Sequence, residues 1–173
     1  MRPLERLLLL AKLLALAGIR YFAQVAVFVL DQLEVLNRTD PNGILGGKLN
    51  LRRAGAFGVS LGGIVAAQAC HLAPRLKACL MMDAPMPVDV VNSGLQQPSM
   101  WITRDCAGMR LERQRAGGWP EKEIRAHQAL MRAVYQSLPG AGYFAVAGES
   151  VAPSLSDRGC GSHLITLSGD LAS

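Results

Sequence analysis

The stretch GAFGVSLGGIVAAQAC, from Gly55 to Cys70, decides the fold. The residues leading into it, RRAGAFG at 52–58, read as a short strand. The run from Leu61 to Leu72 is small, apolar and unbroken until Pro74, so it reads as a helix. Between the two stands Ser60, among Gly58, Gly62 and Gly63. Serine forms neither strands nor helices well, so its place at a strand-to-helix junction needs a local reason. A junction this sharp strains the backbone and demands small neighbours, so a side chain at Gly58 or Gly62 is expected to clash. Gly63 and Ala66–Ala67 let the helix lie close to the strands.

Working outward, residues 21–36 carry Phe22, Val25, Val29, Leu33 and Leu36 at helical spacing, a stripe expected to face a core. NRTDPNGILGGK at 37–48 is a loop by its proline and glycines. LKACLMMD at 76–83 is an apolar run bounded by turn residues, as in a strand covered on both faces, and PSMWITRD at 98–105 is another. PEKEIRAHQALMRAVYQSL at 120–138 is an amphipathic helix with Ile124, Met131, Val134 and Leu138 on its apolar stripe and Pro120 in its first turn. AGYFAVAG at 141–148 is the last strand. The alternation predicts an α/β domain over residues 1–148: about four parallel strands with helices on both faces. Residues 1–36 form its apolar N-terminal helical segment, and 149–173, rich in Ser and Gly, are an irregular tail with HLITL at most a short strand.

Half of the 173 residues are apolar and 18% are charged, which describes a globular chain with one real core. The net charge of +5 is thinly spread and not interleaved with aromatics, which argues against a nucleic-acid partner. The four cysteines, Cys70, Cys79, Cys106 and Cys160, have no metal-ligand spacing with His71, His127 or His163; Cys70 and Cys79 read as buried hydrophobes. In the first thirty residues Lys12 and Arg20 leave apolar runs too short to span a bilayer. Arg2, Arg6 and Ala15-Leu16-Ala17 fit a signal peptide, but Lys12 interrupts its apolar region. A buried or partner-covered helix is therefore expected, with a cytoplasmic location placed ahead of secretion. The same apolar segment is where self-association or membrane-surface contact would occur.

Gly58-Val59-Ser60-Leu61-Gly62 fits G-x-S-x-G, closing a strand and opening a helix. A phosphate-binding loop would want Gly-Lys-Ser/Thr, which is absent. The pattern instead suits a serine nucleophile: the turn lifts the Ser60 hydroxyl clear of the sheet, and the Leu61 backbone N–H is offered to an oxyanion. Of the histidines, His71 lies eleven residues from Ser60 on the same helix, about 16 Å away at 1.5 Å per residue, and reads as a helix C-terminal residue. His127 falls mid-helix among apolar residues and reads as packed or half-exposed. His163 follows the last strand, in the chain order Ser, Asp, His.

FVLDQLEVLN, LRRAGAFGVSLGGIVAAQAC, LAPRLKACLMMDAP, QPSMWITRD and GYFAVAG together resemble the α/β-hydrolases related to platelet-activating-factor acetylhydrolase, the dienelactone-hydrolase-like lipases and esterases. The resemblance covers about residues 22–148 and is most specific at the serine turn and at LMMDAP. It implies Ser60 as nucleophile and Asp83 as triad acid. Asp83 also closes an apolar strand at its carboxyl end, where parallel sheets place their sites; Asp105, ending the next strand, is the alternative acid. The family pattern has several strands ahead of the helix at 21–36 and a histidine soon after the last strand. This sequence has an apolar segment in the first place and ESVAPSLSD in the second. The implied activity is hydrolysis of an acyl or lipid-like carboxylic ester through Ser60 and Asp83, with Leu61 N–H at the oxyanion and no metal or organic cofactor required; His163 enters as the base by its chain order alone, its local sequence not matching the family. The competing expectation is an inactive remnant of the fold that serves self-association or membrane-surface binding.

Overall fold

The apolar N-terminal stretch folds as one continuous helix, α1 (Pro3–Thr39), in a computed structural model that describes residues 3–117 and 120–147. Beyond its end the chain doubles back. The Asp40 carboxylate accepts the N–H groups of Leu45 (2.6 Å) and Asn42 (2.9 Å), and these bonds hold its pKa below the ordinary value. The Asn37 amide brackets Leu49, donating to its carbonyl and accepting from its N–H. A 3₁₀ turn (Leu51–Arg53) leads into β1 (Ala56–Val59), followed by α2 (Leu61–Leu72), β2 (Cys79–Met82), α3 (Val88–Ser93), β3 (Ser99–Arg104), α4 (Cys106–Ala116), α5 (Glu121–Gln136) and β4 (Gly142–Ala147).

The four strands form one parallel sheet in the order β1-β2-β3-β4. The predicted α/β class with about four parallel strands is therefore the observed one. Because each strand lies beside its predecessor and parallel crossovers are right-handed, every connection leaves the sheet on the same side. α2 packs on β1 and β2, α5 packs on β3 and β4, and α3 bridges α2 and α5. The face beneath them buries Met81, Trp101, Thr103 and Phe144. On the opposite face Phe57, Val59 and Tyr143 are exposed, and Leu80, Met82, Met100 and Ile102 are half-buried. Of the two helical layers expected, the crossovers of the described residues supply one.

The core is organised around Trp101, which is fully buried. Its Nε1–H points at Met86 Sδ (3.3 Å), and Tyr135 meets it edge-on with ring centroids 6.0 Å apart. Tyr135 then leans on Phe144, and the Arg132 guanidinium lies over the Phe144 ring at 4.8 Å. A Cβ at Gly142 would sit 2.4 Å from Leu138 Cδ1, so the end of the Leu138 side chain would have to shift to admit one.

α1 forms an outer layer on α2, and its contact face differs from the one expected. Ala23 and Leu30 are buried, whereas Phe22, Val25 and Val29, three members of the predicted stripe, are exposed together with Tyr21 and Phe28. Small side chains let the two helices approach, and polar ties fix the orientation. Arg75 pairs with Asp31 and reaches the Val27 carbonyl (3.3 Å). Arg20 lies 3.5 Å from Asp89, which also accepts from the fully buried Gln68 (2.9 Å). α3 and α4 were not expected. α3 has six residues between Pro87 and Gly94, and α4 is too polar to show an apolar stripe. The predicted irregular tail at 149–173 lies outside the described residues.

Candidate active site

The serine turn is built by close approach of two backbones. A Cβ on Gly58 would lie 2.2 Å from the Gly62 carbonyl carbon, and one on Gly63 would lie 2.6 Å from Ala84 Cβ. Nothing lies within 4 Å of a Cβ at Gly62, so the clash expected there is absent: the pinched pair is Gly58 and Gly63. Ser60 itself is held at φ +51° and ψ −120°. For a residue with a side chain this costs about 1–3 kcal/mol, which surrounding bonds must offset. Its N–H donates to Met82 O (2.8 Å), and its carbonyl accepts from Gly63 (3.0 Å) and Ile64 (3.1 Å), the first hydrogen bonds of α2. The side chain is solvent-exposed, and among the described residues its hydroxyl has no hydrogen-bond partner.

Asp83 stands beside Ser60. Val59 and Met82 are partners in the β1–β2 register, so the next residue of each strand comes side by side at the carboxyl edge, about 5 Å apart across neighbouring strands. Asp83 donates its N–H to Ile102 O (2.8 Å) and has φ +50°. Ser60 and Asp83 are the two positive-φ residues other than glycine among those described. The Asp83 carboxylate is already engaged: Oδ1 accepts from Arg104 N–H (3.2 Å) and the Thr103 hydroxyl (3.4 Å), and Oδ2 accepts from Arg104 Nε in an ion pair. Neither Arg104 nor Thr103 was singled out from the sequence, because both meet Asp83 only through the β2–β3 register.

Asp105, the alternative acid, caps α4, its Oδ1 accepting the Gly108 N–H at 2.6 Å. Leu61 and Gly62 open α2, and N–H groups of a first helical turn have no intrahelical acceptor. His71 occupies the last turn of α2, at the far end from Ser60. His127 is half-buried on α5, next to Gln128, which donates to Arg104 O (3.0 Å). Burial lowers the His127 pKa, while Glu123 one turn earlier opposes this. His163 lies outside the described residues.

Cys70 and Cys79 are buried thiols, as expected. Cys79 is pushed far up in pKa by its hydrogen bond with Cys70 and by burial, so it is no nucleophile. Among the described residues, no three His, Cys, Asp or Glu side chains are grouped to hold a metal ion, and no helix is long and apolar enough to cross a membrane.

No model of a known protein family matches the sequence, and no curated protein does. Among solved structures, the chain is similar to a ferulic acid esterase from Streptomyces cinnamoneus, with 24% identity and a TM-score of 0.52. The match covers 74% of this chain and 31% of the esterase, so this chain spans about a third of that enzyme's length. The four parallel strands and their helices thus form a partial α/β fold.

Proposed function

We propose that this chain is a carboxylic ester hydrolase of the α/β-hydrolase type, with Ser60 as the nucleophile. The observation that carries the reading is the Ser60 turn: a strained, exposed serine at the carboxyl edge of a parallel sheet, ahead of a helix N-terminus. Strain at a residue with a side chain is retained where a site needs it. The Ser60 oxygen attacks the ester carbonyl, its proton passes to a base, and the carbonyl oxygen becomes an oxyanion facing Leu61 N–H. The oxyanion then collapses, the base returns the proton to the leaving alcohol, and water releases the acyl group by the same steps. In this reading His163 is the base and Asp83 orients it. The apolar side chains beside the turn, Val59 and Leu61, favour acyl or lipid-like esters. Similarity to a ferulic acid esterase adds a ferulic acid ester to the substrates worth trying.

The test is labelling with a serine-reactive fluorophosphonate and hydrolysis of p-nitrophenyl acetate by wild type, Ser60→Ala and His163→Ala. The reading expects label on Ser60 and a Ser60-dependent rate. Hydrolysis at equal rates by wild type and Ser60→Ala overturns it. An unchanged rate in His163→Ala removes His163 from the mechanism.

A further inference from the structure

A groove of about 570 Å³ opens at the amino edge of the sheet, between the last turns of α1, the 3₁₀ turn and the segment entering β2. Ser60 and Asp83 lie at the other edge, beyond the length of β1, about 13 Å of strand. The groove therefore belongs to no part of the site described above. Its volume is in the range of small-molecule sites.

Its walls are strongly asymmetric in charge. Arg38, Arg52, Arg75 and Lys77 line it against a single carboxylate, Glu34. Glu34 is shared, paired with Arg38 and lying 3.8 Å from Arg75, while Arg75 also holds Asp31. Arg52 and Lys77 have no acidic partner among the described residues; the Lys77 ammonium donates to Pro74 O at 3.2 Å. Asn50 adds a carboxamide that makes no cap bond to the 3₁₀ turn behind it. Asn37 lines it too, its amide already bonded to the Leu49 backbone, and the rest of the lining is apolar: Leu30, buried, with Leu49 and Leu51 half-buried.

We propose that this groove binds a small amphiphilic anion, a carboxylate or phosphate head on an apolar body. Arg52 and Lys77 hold the head, with Asn50 donating to it, and the body lies on Leu30, Leu49 and Leu51. A guanidinium fork beside an ammonium matches the oxygens of either head. Leu49 and Leu51 select an organic anion over a simple ion, because their half-exposed side chains stay wetted unless a hydrocarbon covers them. The site is independent of Ser60 chemistry.

Amide NMR titrations with sodium decanoate, decyl phosphate, decanol and inorganic phosphate, below any micelle concentration, test the proposal. Decanoate or decyl phosphate is expected to move the amides of residues 49–53 and 75–77 and leave 60–63 in place. Decanol and inorganic phosphate are expected to bind about ten-fold more weakly or not at all, since each lacks half of the recognition. Arg52→Gln with Lys77→Gln, both at exposed positions, should weaken the anions by about ten-fold while thermal melts stay unchanged. Leu51→Ser should weaken them with the charges intact. Equal binding of decanol, shifts centred on residues 60–63, or unchanged binding by the double variant would overturn the proposal.

Discussion

Arg104 grips Asp83 from two directions, its backbone N–H on one carboxylate oxygen and its Nε on the other. The carboxylate next to Ser60 is thus neutralised by an arginine at the end of the neighbouring strand. An imidazolium gains less from a carboxylate whose charge is already shared. If Asp83 orients the base, Arg104→Gln raises kcat/KM for Ser60-dependent ester hydrolysis several-fold, and Asp83→Asn lowers it, on the order of 10²–10⁴ as for triad acids generally. Steady-state kinetics on p-nitrophenyl esters decide. No effect from either substitution removes Asp83 from the mechanism.

Gly58 and Gly62 look equivalent in the motif and differ in the structure. Gly58→Ala places a methyl group 2.2 Å from backbone that cannot yield, and is expected to cost about 3 kcal/mol or more. Gly62→Ala enters open space inside α2 and is expected to be neutral or stabilising by up to about 1 kcal/mol. Urea unfolding of the two variants reads the contrast. Equal losses would mean that the turn is not pinched at Gly58.

Glu121 at the start of α5 accepts bonds from Arg110 Nε (3.1 and 2.9 Å, one to each carboxylate oxygen) and Nη2 (2.7 Å) of α4, and one from Arg125 Nε at 3.0 Å. Arg110 first, then Arg125, hold its carboxyl down to about 2, against 4.5 ordinarily. A carboxylate lowered on folding adds stability that is complete above its unfolded pKa and lost as pH falls through the folded one. Glu121→Gln should therefore lower Tm at pH 7, and the gap to wild type should close between pH 4.5 and about 2. Thermal melts across that range check it. A gap independent of pH would assign the effect to packing.

The apolar side chains on the outer face of α1 were expected to be shielded, and the domain does not shield them. Tyr21, Phe22, Phe28 and Val29 are about half exposed or more. An apolar row of this kind associates in water. The chain is expected to sediment above monomer mass, and Phe22→Glu with Phe28→Glu should return it to monomer. A wild-type monomer at high concentration would refute this.

Much of the fold was legible because it depends on local periodicity. α2 spans 61–72 as predicted, and the three later strands fall within their predicted runs. The face of α1 was misread because large apolar residues at helical spacing look like a core stripe, while the contact with α2 is made by Ala23, Leu30 and the Arg75–Asp31 pair. Ser60 was legible because its glycines and flanking elements are contiguous in sequence. The pairing of Asp83 with Arg104 was not, since it joins residues 21 apart through strand register. The amino-edge groove was invisible for the same reason: Arg52 and Lys77 come to line one groove only once β1 and β2 lie side by side.

The strand order has a consequence for how the molecule is made. Each of the four described strands lies beside the one before it, so none of them waits for a partner encoded later across an intervening one. Each pairing closes over one crossover, of a single helix before β2 and before β3 and of two helices before β4, so the chain between partners stays shorter than if a strand were skipped. As the chain leaves the ribosome, β2 can add to β1, β3 to β2 and β4 to β3 in the order of synthesis. Growth runs in one direction, and each completed strand is the template for the next.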